Sequence, residues 1–305
     1  MQLNMPAVVE TAWNAGTPRR GSASERFEAW GQGQPIDVVM LTKNSITPCL
    51  RECLDSIYRD IPVRKLIVVD NGSKDGTISY VKSYPRSEVI ENPLGNIASS
   101  RQLGIQAVET QWFAFIDSDI VLCEGWFQKI STQISDGVGA IFGATLPMER
   151  HVHNSVAALA RLRRTTIVKL QASQKRLPPG DTLFNLKALK GIVIPDDLFT
   201  AEDEFIMRFI TSKGFRLLRS EEAFCYHFTH LPGSPSSIVA YGRLMHKYGL
   251  RSPLRILAAA AYSVPSSVAI LVFTGDRVAF RRQLLLQVLP LVGWLTYRGG
   301  VTDKG

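Results

Sequence analysis

Short runs of apolar, largely β-branched residues, each ending in a polar side chain, set the tightest limit on the fold of this chain. "IDVVMLT" (36–42), "KLIVVD" (65–70) and "WFAFID" (112–117) show no alternation of polar and apolar positions. A strand with one face in water alternates, so such runs predict strands buried on both faces, as in a parallel sheet covered by helices. The segments between them have helical character. In "TPCLRECLDSIYRD" Thr47 is the expected N-cap and Pro48 the first helical residue, with Leu50, Leu54 and Ile57 at helical spacing. After the turn "NGSKDG", Thr77 opens a helix that Pro85 closes. "SEVIE" (87–91) then reads as a shorter strand and "NIASSRQLGIQAVET" as a helix. Strand and helix alternate, which predicts an α/β layer around a mainly parallel central sheet.

Three of these strands end in groups at odds with their cores: Thr42, Asp70 with Asn71, and Asp117 with Asp119. The carboxyl ends of strands in an open parallel sheet share one edge, and ligands bind in the crevice beyond it. Residues far apart in sequence would therefore converge on one cleft. Two carboxylates one residue apart, in "FIDSD", repel each other unless a cation or hydrogen-bond donors lie between them. As hard oxygen ligands, Asp117 and Asp119 suit Mn²⁺ or Mg²⁺ that also bridges phosphate oxygens, and a metal-bound diphosphate is a good leaving group. No GxGxxG follows the first strand and no GxxxxGK(S/T) occurs, which argues against dinucleotide-binding and P-loop proteins.

"IDVVMLTKN", "KLIVVDNGSKDGT", "NPLGNIASSRQLG", "FIDSD" and, later, "AEDEFIMRFITSKGFRL" with "CYH" occur in the order seen in family 2 glycosyltransferases of the GT-A fold, and the chain resembles them from about residue 36 to residue 230. The resemblance implies a GT-A, nucleotide-diphospho-sugar transferase fold. It implies that Thr42, Asp70 and Asn71 contact the base and ribose of a GDP- or UDP-linked sugar, with Arg101 close to the same pocket. Asp117 would touch ribose and metal, Asp119 the metal, and His227 would complete the metal site. Leu41, Asn71 and Gln102 depart from the residues common at their places in the family. No QxxRW segment follows, which argues against a processive polysaccharide synthase.

"TAEDEFIMRFI" (200–210) begins a helix, with Thr200 as the expected N-cap and Glu202 to Glu204 loading its positive end. By the resemblance, Asp203 is the catalytic base in a single in-line, inverting displacement at the anomeric carbon. A hydroxyl nucleophile gains from a positioned carboxylate, whereas a phosphate acceptor is already anionic. The acidic cluster thus favours transfer of a hexose, such as mannose or glucose, onto a sugar hydroxyl. A polyprenyl-phosphate sugar synthase is the alternative enzyme, and a catalytically silent sugar-nucleotide-binding membrane protein the alternative outside catalysis.

The net charge of +8 favours anionic partners, and its bias is sharpest over 150–176, where seven Lys or Arg occur without an acid. That segment is expected to meet anionic headgroups or an acceptor's phosphate. Without interleaved aromatics or a recognised motif, nucleic acid is not an expected partner. Residues 1–34 read as a loose arm and 35–232 as the catalytic domain, while 233–305 change character. Residues 256–275 and 283–297 are apolar stretches without a charge, each with a central proline, Pro265 and Pro290. Arg251, Arg255, Arg277, Arg281, Arg282, Arg298 and Lys304 flank them on every side. A two-span hairpin would put the arginine-rich connector outside, so helices lying in the cytosolic interface are expected, anchored by Tyr262, Trp294 and Tyr297, with the hairpin as alternative. An enzyme fixed there most simply acts on a polyprenyl- or dolichyl-linked acceptor. The four cysteines (Cys49, Cys53, Cys123, Cys225) show no metal-ligand spacing and are expected to be reduced. No signal peptide is apparent in the first residues.

Overall fold

The computed structural model describes residues 34–147, 180–228 and 234–298. The arm, the basic segment 150–176, His151, His153 and His230 lie outside them. The chain opens with the predicted alternation: β1 (Ile36–Thr42), α1 (Leu50–Asp60), β2 (Val63–Asp70), α2 (Thr77–Lys82), β3 (Ser87–Glu91), α3 (Ile97–Ala107) and β4 (Trp112–Ile116). The core of β1 and every residue of β4 are buried, as uninterrupted apolar runs require. Asn96 caps α3 in a capping box with Ser99, satisfying amides at the helix start. The expected cap of α1 is not used. That helix starts at Leu50 with Cys49 in the cap position, and Thr47 and Pro48 precede it.

Beyond β4 the chain forms β5 (Ile120–Leu122), α4 (Trp126–Ser131), β6 (Val138–Pro147), β7 (Asp181–Asn185), α5 (Leu186–Leu189), α6 (Glu202–Ser212) and β8 (Arg216–His227). All eight strands join one sheet in the order β3-β2-β1-β4-β7-β6-β8-β5. The β1–β2, β2–β3, β1–β4 and β6–β8 pairs are parallel, while β4–β7, β6–β7 and β5–β8 are antiparallel. The sheet is therefore parallel in its first half and mixed in its second. Phe113, Phe115, Phe142 and Phe184 pack where the halves meet.

One buried acid belongs to the scaffold. Asp37, on β1, accepts hydrogen bonds from Arg64 Nε (2.7 Å) and Nη2 (3.0 Å) and from the amides of Glu109 (2.8 Å) and Thr110 (3.2 Å). Burial alone would raise its pKa; the guanidinium and the two amides more than offset this and hold the carboxyl below the usual range.

The remaining chain folds as three helices, α7 (Pro235–Lys247), α8 (Pro253–Thr274) and α9 (Arg277–Thr296). Both apolar helices run on through their prolines, so neither is broken at mid-segment. α7 and α9 touch backbone to backbone: a Cβ on Gly293 would lie 1.9 Å from the Val239 carbonyl, and one on Gly242 2.1 Å from that of Pro290. α8 buries a mixed face, with Ile256, Ala260 and Ile270 beside its serines, and exposes an apolar one. Ser263, Ser266, Ser267 and Gln283 of α9 are buried, whereas Leu254, Tyr262, Val264, Val272 and Phe273 are exposed. Trp294, half-buried, also packs within the helical tail. Its ring stacks on His246 of α7 at 4.4 Å, and its carbonyl lies 2.7 Å from His246 Nδ1.

Candidate active site

The carboxyl ends of β1, β2 and β4 share one edge, as expected, but their polar groups divide the work. Thr42 and Asp70 are register partners. Thr42 Oγ1 donates to Asp70 Oδ1 at 2.7 Å, and Ser73 donates to the same carboxylate from its amide (2.7 Å) and hydroxyl (2.5 Å). Asp70 is 1% exposed, so in this geometry it organises the loop after β2. Ser73 Oγ in turn accepts from the Asn44 amide at 2.7 Å, tying the two loops together. Asn71 is half-buried beside them, its Oδ1 accepting from Ser100 Oγ at 2.7 Å.

Arg101, on the first half of α3, is buried at 3% exposure and lies over the Phe115 ring. Its Nε donates to Glu202 Oε1 at 2.9 Å and its Nη2 lies 3.7 Å from Asp117 Oδ1. Its Nη1 is buried without a hydrogen-bond partner. Loss of hydration pushes the Asp117 carboxyl up; Arg101 and His227 oppose this and Asp119 adds to it. Asp119 faces the other way, its Oδ2 3.2 Å from His227 Nε2. The antiparallel pair of β5 with β8 makes this contact, because Ile120 is in register with His227 and the Phe228 amide donates to the Asp119 carbonyl at 2.8 Å.

Asp117, Asp119 and His227 therefore stand together at the strand ends but do not close into a three-ligand cage. Among the described residues no group of three His, Cys, Asp or Glu side chains is arranged to hold a metal ion alone. Two converging donors, a carboxylate oxygen and an imidazole nitrogen, fit Mn²⁺ or Mg²⁺ if phosphate oxygens supply the rest.

The three acids at the start of α6 have different fates. No side chain caps the helix: Thr200 is not the cap, and Ala201 takes that position at φ 129°, strained for a residue with a Cβ. Glu202, 4% exposed, is neutralised by Arg101 and also accepts from the Ala201 amide at 3.1 Å. Glu204 accepts from Arg251 Nε at 2.7 Å and from Tyr241 at 2.9 Å. Asp203, half-buried between them, accepts at Oδ1 from the Glu204 amide at 2.7 Å.

Asp181 was not singled out by sequence. It starts β7 in register with Ile116, is fully buried, and accepts from Trp126 Nε1 at 3.3 Å, with the Cys225 thiol as a further side-chain donor to the carboxyl. Burial pushes its carboxyl up to about 8, against the pull of Trp126 and Arg219. A raised folded value makes its contribution most favourable below the unfolded range near 4 and erodes it as pH climbs towards about 8. Asp181→Asn is thus expected to gain stability relative to the parent between pH 5.5 and 7.5, by up to roughly 1 kcal/mol per unit, in urea unfolding. An unchanged difference at the two pH values would show that Asp181 is already ionised.

The eight-stranded sheet, parallel in its first half and mixed in its second, is a fold of the GT-A type. Residues 37–182 match the sequence model of glycosyl transferase family 2, in keeping with the family 2 resemblance of the motifs. It is similar to glycosyltransferase AglE of Haloferax volcanii, 25% identical over 260 residues that span 81% of this chain and 77% of AglE. It also matches the uncharacterized glycosyltransferase EpsJ of Bacillus subtilis, 28% identical over 104 residues, or 32% of this chain and less than a third (30%) of EpsJ. Among solved structures, mannosyltransferase PcManGT of Pyrobaculum calidifontis, in complex with GDP-Man and Mn²⁺, superposes with TM-score 0.58 at 15% identity over 85% of this chain and 86% of its own. S. aureus TarS 1–349 in complex with UDP superposes with TM-score 0.51 at 16% identity, covering 88% of this chain and 95% of that one.

Proposed function

We propose that this glycosyltransferase transfers a hexose, with inversion, from a GDP- or UDP-linked donor to a hydroxyl of a polyprenyl- or dolichyl-linked glycan at the cytosolic face of a membrane. The observation that carries the reading is the sorting of the three α6 acids. Glu202 is bound to Arg101 and Glu204 to Arg251, while Asp203 stands half-buried between them in the first turn and is read as the carboxylate that takes a proton from an acceptor hydroxyl. Asp119 and His227, with Asp117 beside them, would hold the Mn²⁺ or Mg²⁺ of the donor diphosphate. That ion offsets the charge developing on the leaving nucleoside diphosphate. Thr42, Asp70 and Asn71 would shape the nucleoside pocket, with Arg101 at its wall. PcManGT bound to GDP-Man and Mn²⁺, and TarS bound to UDP, support both donor classes.

The membrane assignment is supported by α8. It is long and apolar enough to cross a bilayer, at mean hydropathy 2.0 over 21 residues, and its outward face is apolar while its serines face inward. Arginines stand at both of its ends, which favours helices lying in the headgroup region over a span.

Thermal unfolding with GDP or UDP, with and without Mn²⁺, tests the donor assignment. One nucleotide at about a hundred times its Kd is expected to raise the midpoint by about 5 °C with Mn²⁺ and little without it. No stabilisation by either would remove the nucleotide cleft as assembled here.

A further inference from the structure

The helical tail grips the acid helix at its catalytic end. Glu204, one residue after Asp203, is held by Arg251 and Tyr241. Just before α6, Asp197 accepts from Lys247 and from the Tyr248 hydroxyl. On the helix itself, Phe205 packs edge-on against Tyr248 with centroids 6.3 Å apart, and Arg208 donates to the Gly249 carbonyl. The acids on either side of Asp203 are thus anchored to different bodies, Glu202 to α3 of the sheet layer and Glu204 to the tail. Arg251 stands two residues before Pro253, the first residue of α8, whose outward face carries Leu254, Leu257, Val264 and Val268 exposed. A shift of α8 therefore reaches the first turn of α6 most directly through the Arg251 guanidinium.

We propose that Arg251 is a positioning residue: seating α8 on an anionic lipid surface orders the first turn of α6 through the Arg251–Glu204–Tyr241 contact and so fixes Asp203 over the cleft. The inference rests on the reading of Asp203 as the base and of the tail as the membrane contact. Charge and surface agree with it, since Arg255 near the start of α8 and Arg277 and Arg281 at the start of α9 are exposed and suit phosphate headgroups. Coupling of this kind needs an element with two arrangements that both sites bias. The first turn of α6 carries no side-chain cap and follows Ala201 at φ 129°, so its order depends on the contacts made to it from α3 and the tail.

Amide hydrogen exchange on the full chain, with and without vesicles of phosphatidylcholine and phosphatidylglycerol, tests the proposal without an acceptor. Vesicles are expected to slow exchange at residues 205–208 about fivefold, equivalent to roughly 1 kcal/mol of added local stability. Arg251→Met is expected to sediment with vesicles as the parent does, yet lose the slowing, and Arg251→Lys to recover part of it. Tyr241→Phe, which removes a single hydroxyl, is expected to weaken the slowing and serves if Arg251→Met does not fold. Asp203→Asn is expected to keep the full response, because it alters chemistry and not anchoring; transfer assays on that variant judge the base assignment separately. Equal slowing in Arg251→Met and parent, or no slowing in vesicle-bound parent, overturns the proposal. Failure of the parent to bind vesicles removes the membrane reading and this inference with it.

Discussion

Asp203→Asn is expected to bind the donor nucleotide as the parent does and to transfer sugar to a hydroxyl acceptor roughly 10²–10⁴-fold more slowly. The size follows from the lack of a substitute. Glu202 is nearly fully buried and bound to Arg101, and Glu204 is bound to Arg251 and Tyr241, so neither can reach an acceptor without giving up a charged partner. Donor affinity should be untouched, because the residues proposed to hold metal and nucleoside lie at the strand ends and on α3, not on α6. The measurement pairs a nucleotide titration with turnover on the lipid-linked acceptor. Full turnover in Asp203→Asn would mean that the nucleophile is already anionic, and the polyprenyl-phosphate synthase reading would replace this one.

Asp119→Ala should have the second large effect, on binding. Its nucleotide affinity in Mn²⁺ is expected to fall at least about a hundredfold, to the value the parent shows in chelator. Asp119 and His227 converge at 3.2 Å while Asp117 lies 3.7 Å from Arg101, so among the described residues no group of three such side chains would remain to compensate. Titration calorimetry with and without chelator reads this directly. Tight, chelator-insensitive binding by Asp119→Ala would count against the metal role of this pair.

The first half of the fold was legible because its signals are local. Buried parallel strands write continuous apolar runs, and the helices between them carry their own spacing and, at Asn96, their own cap. β1 to β4, with α1, α2 and α3, fall where the sequence puts them, apart from the start of α1. The second half was not legible. β5 has three residues, and β7 enters antiparallel between β4 and β6, a pairing that depends on partners far along the chain. Mixed pairing leaves no period in a single strand to announce it.

By itself the sequence determined which chemistry the chain carries: strand ends bearing Thr42, Asp70, Asn71, Asp117 and Asp119, an acid-headed helix, and an apolar tail flanked by arginines. Tertiary structure alone decided how those groups are used. Three adjacent acids look alike in sequence, yet Arg101, about a hundred residues upstream, claims Glu202, and Arg251, from the tail, claims Glu204. Asp70 stands at a strand end in sequence, and only the fold shows that Thr42 and Ser73 donate to its carboxylate. His227 meets Asp119 only because β5 pairs with β8. Local pattern fixes what a residue can do, whereas the charge state and direction of a carboxylate depend on whichever cation or donor the folded chain brings within about 3 Å of it.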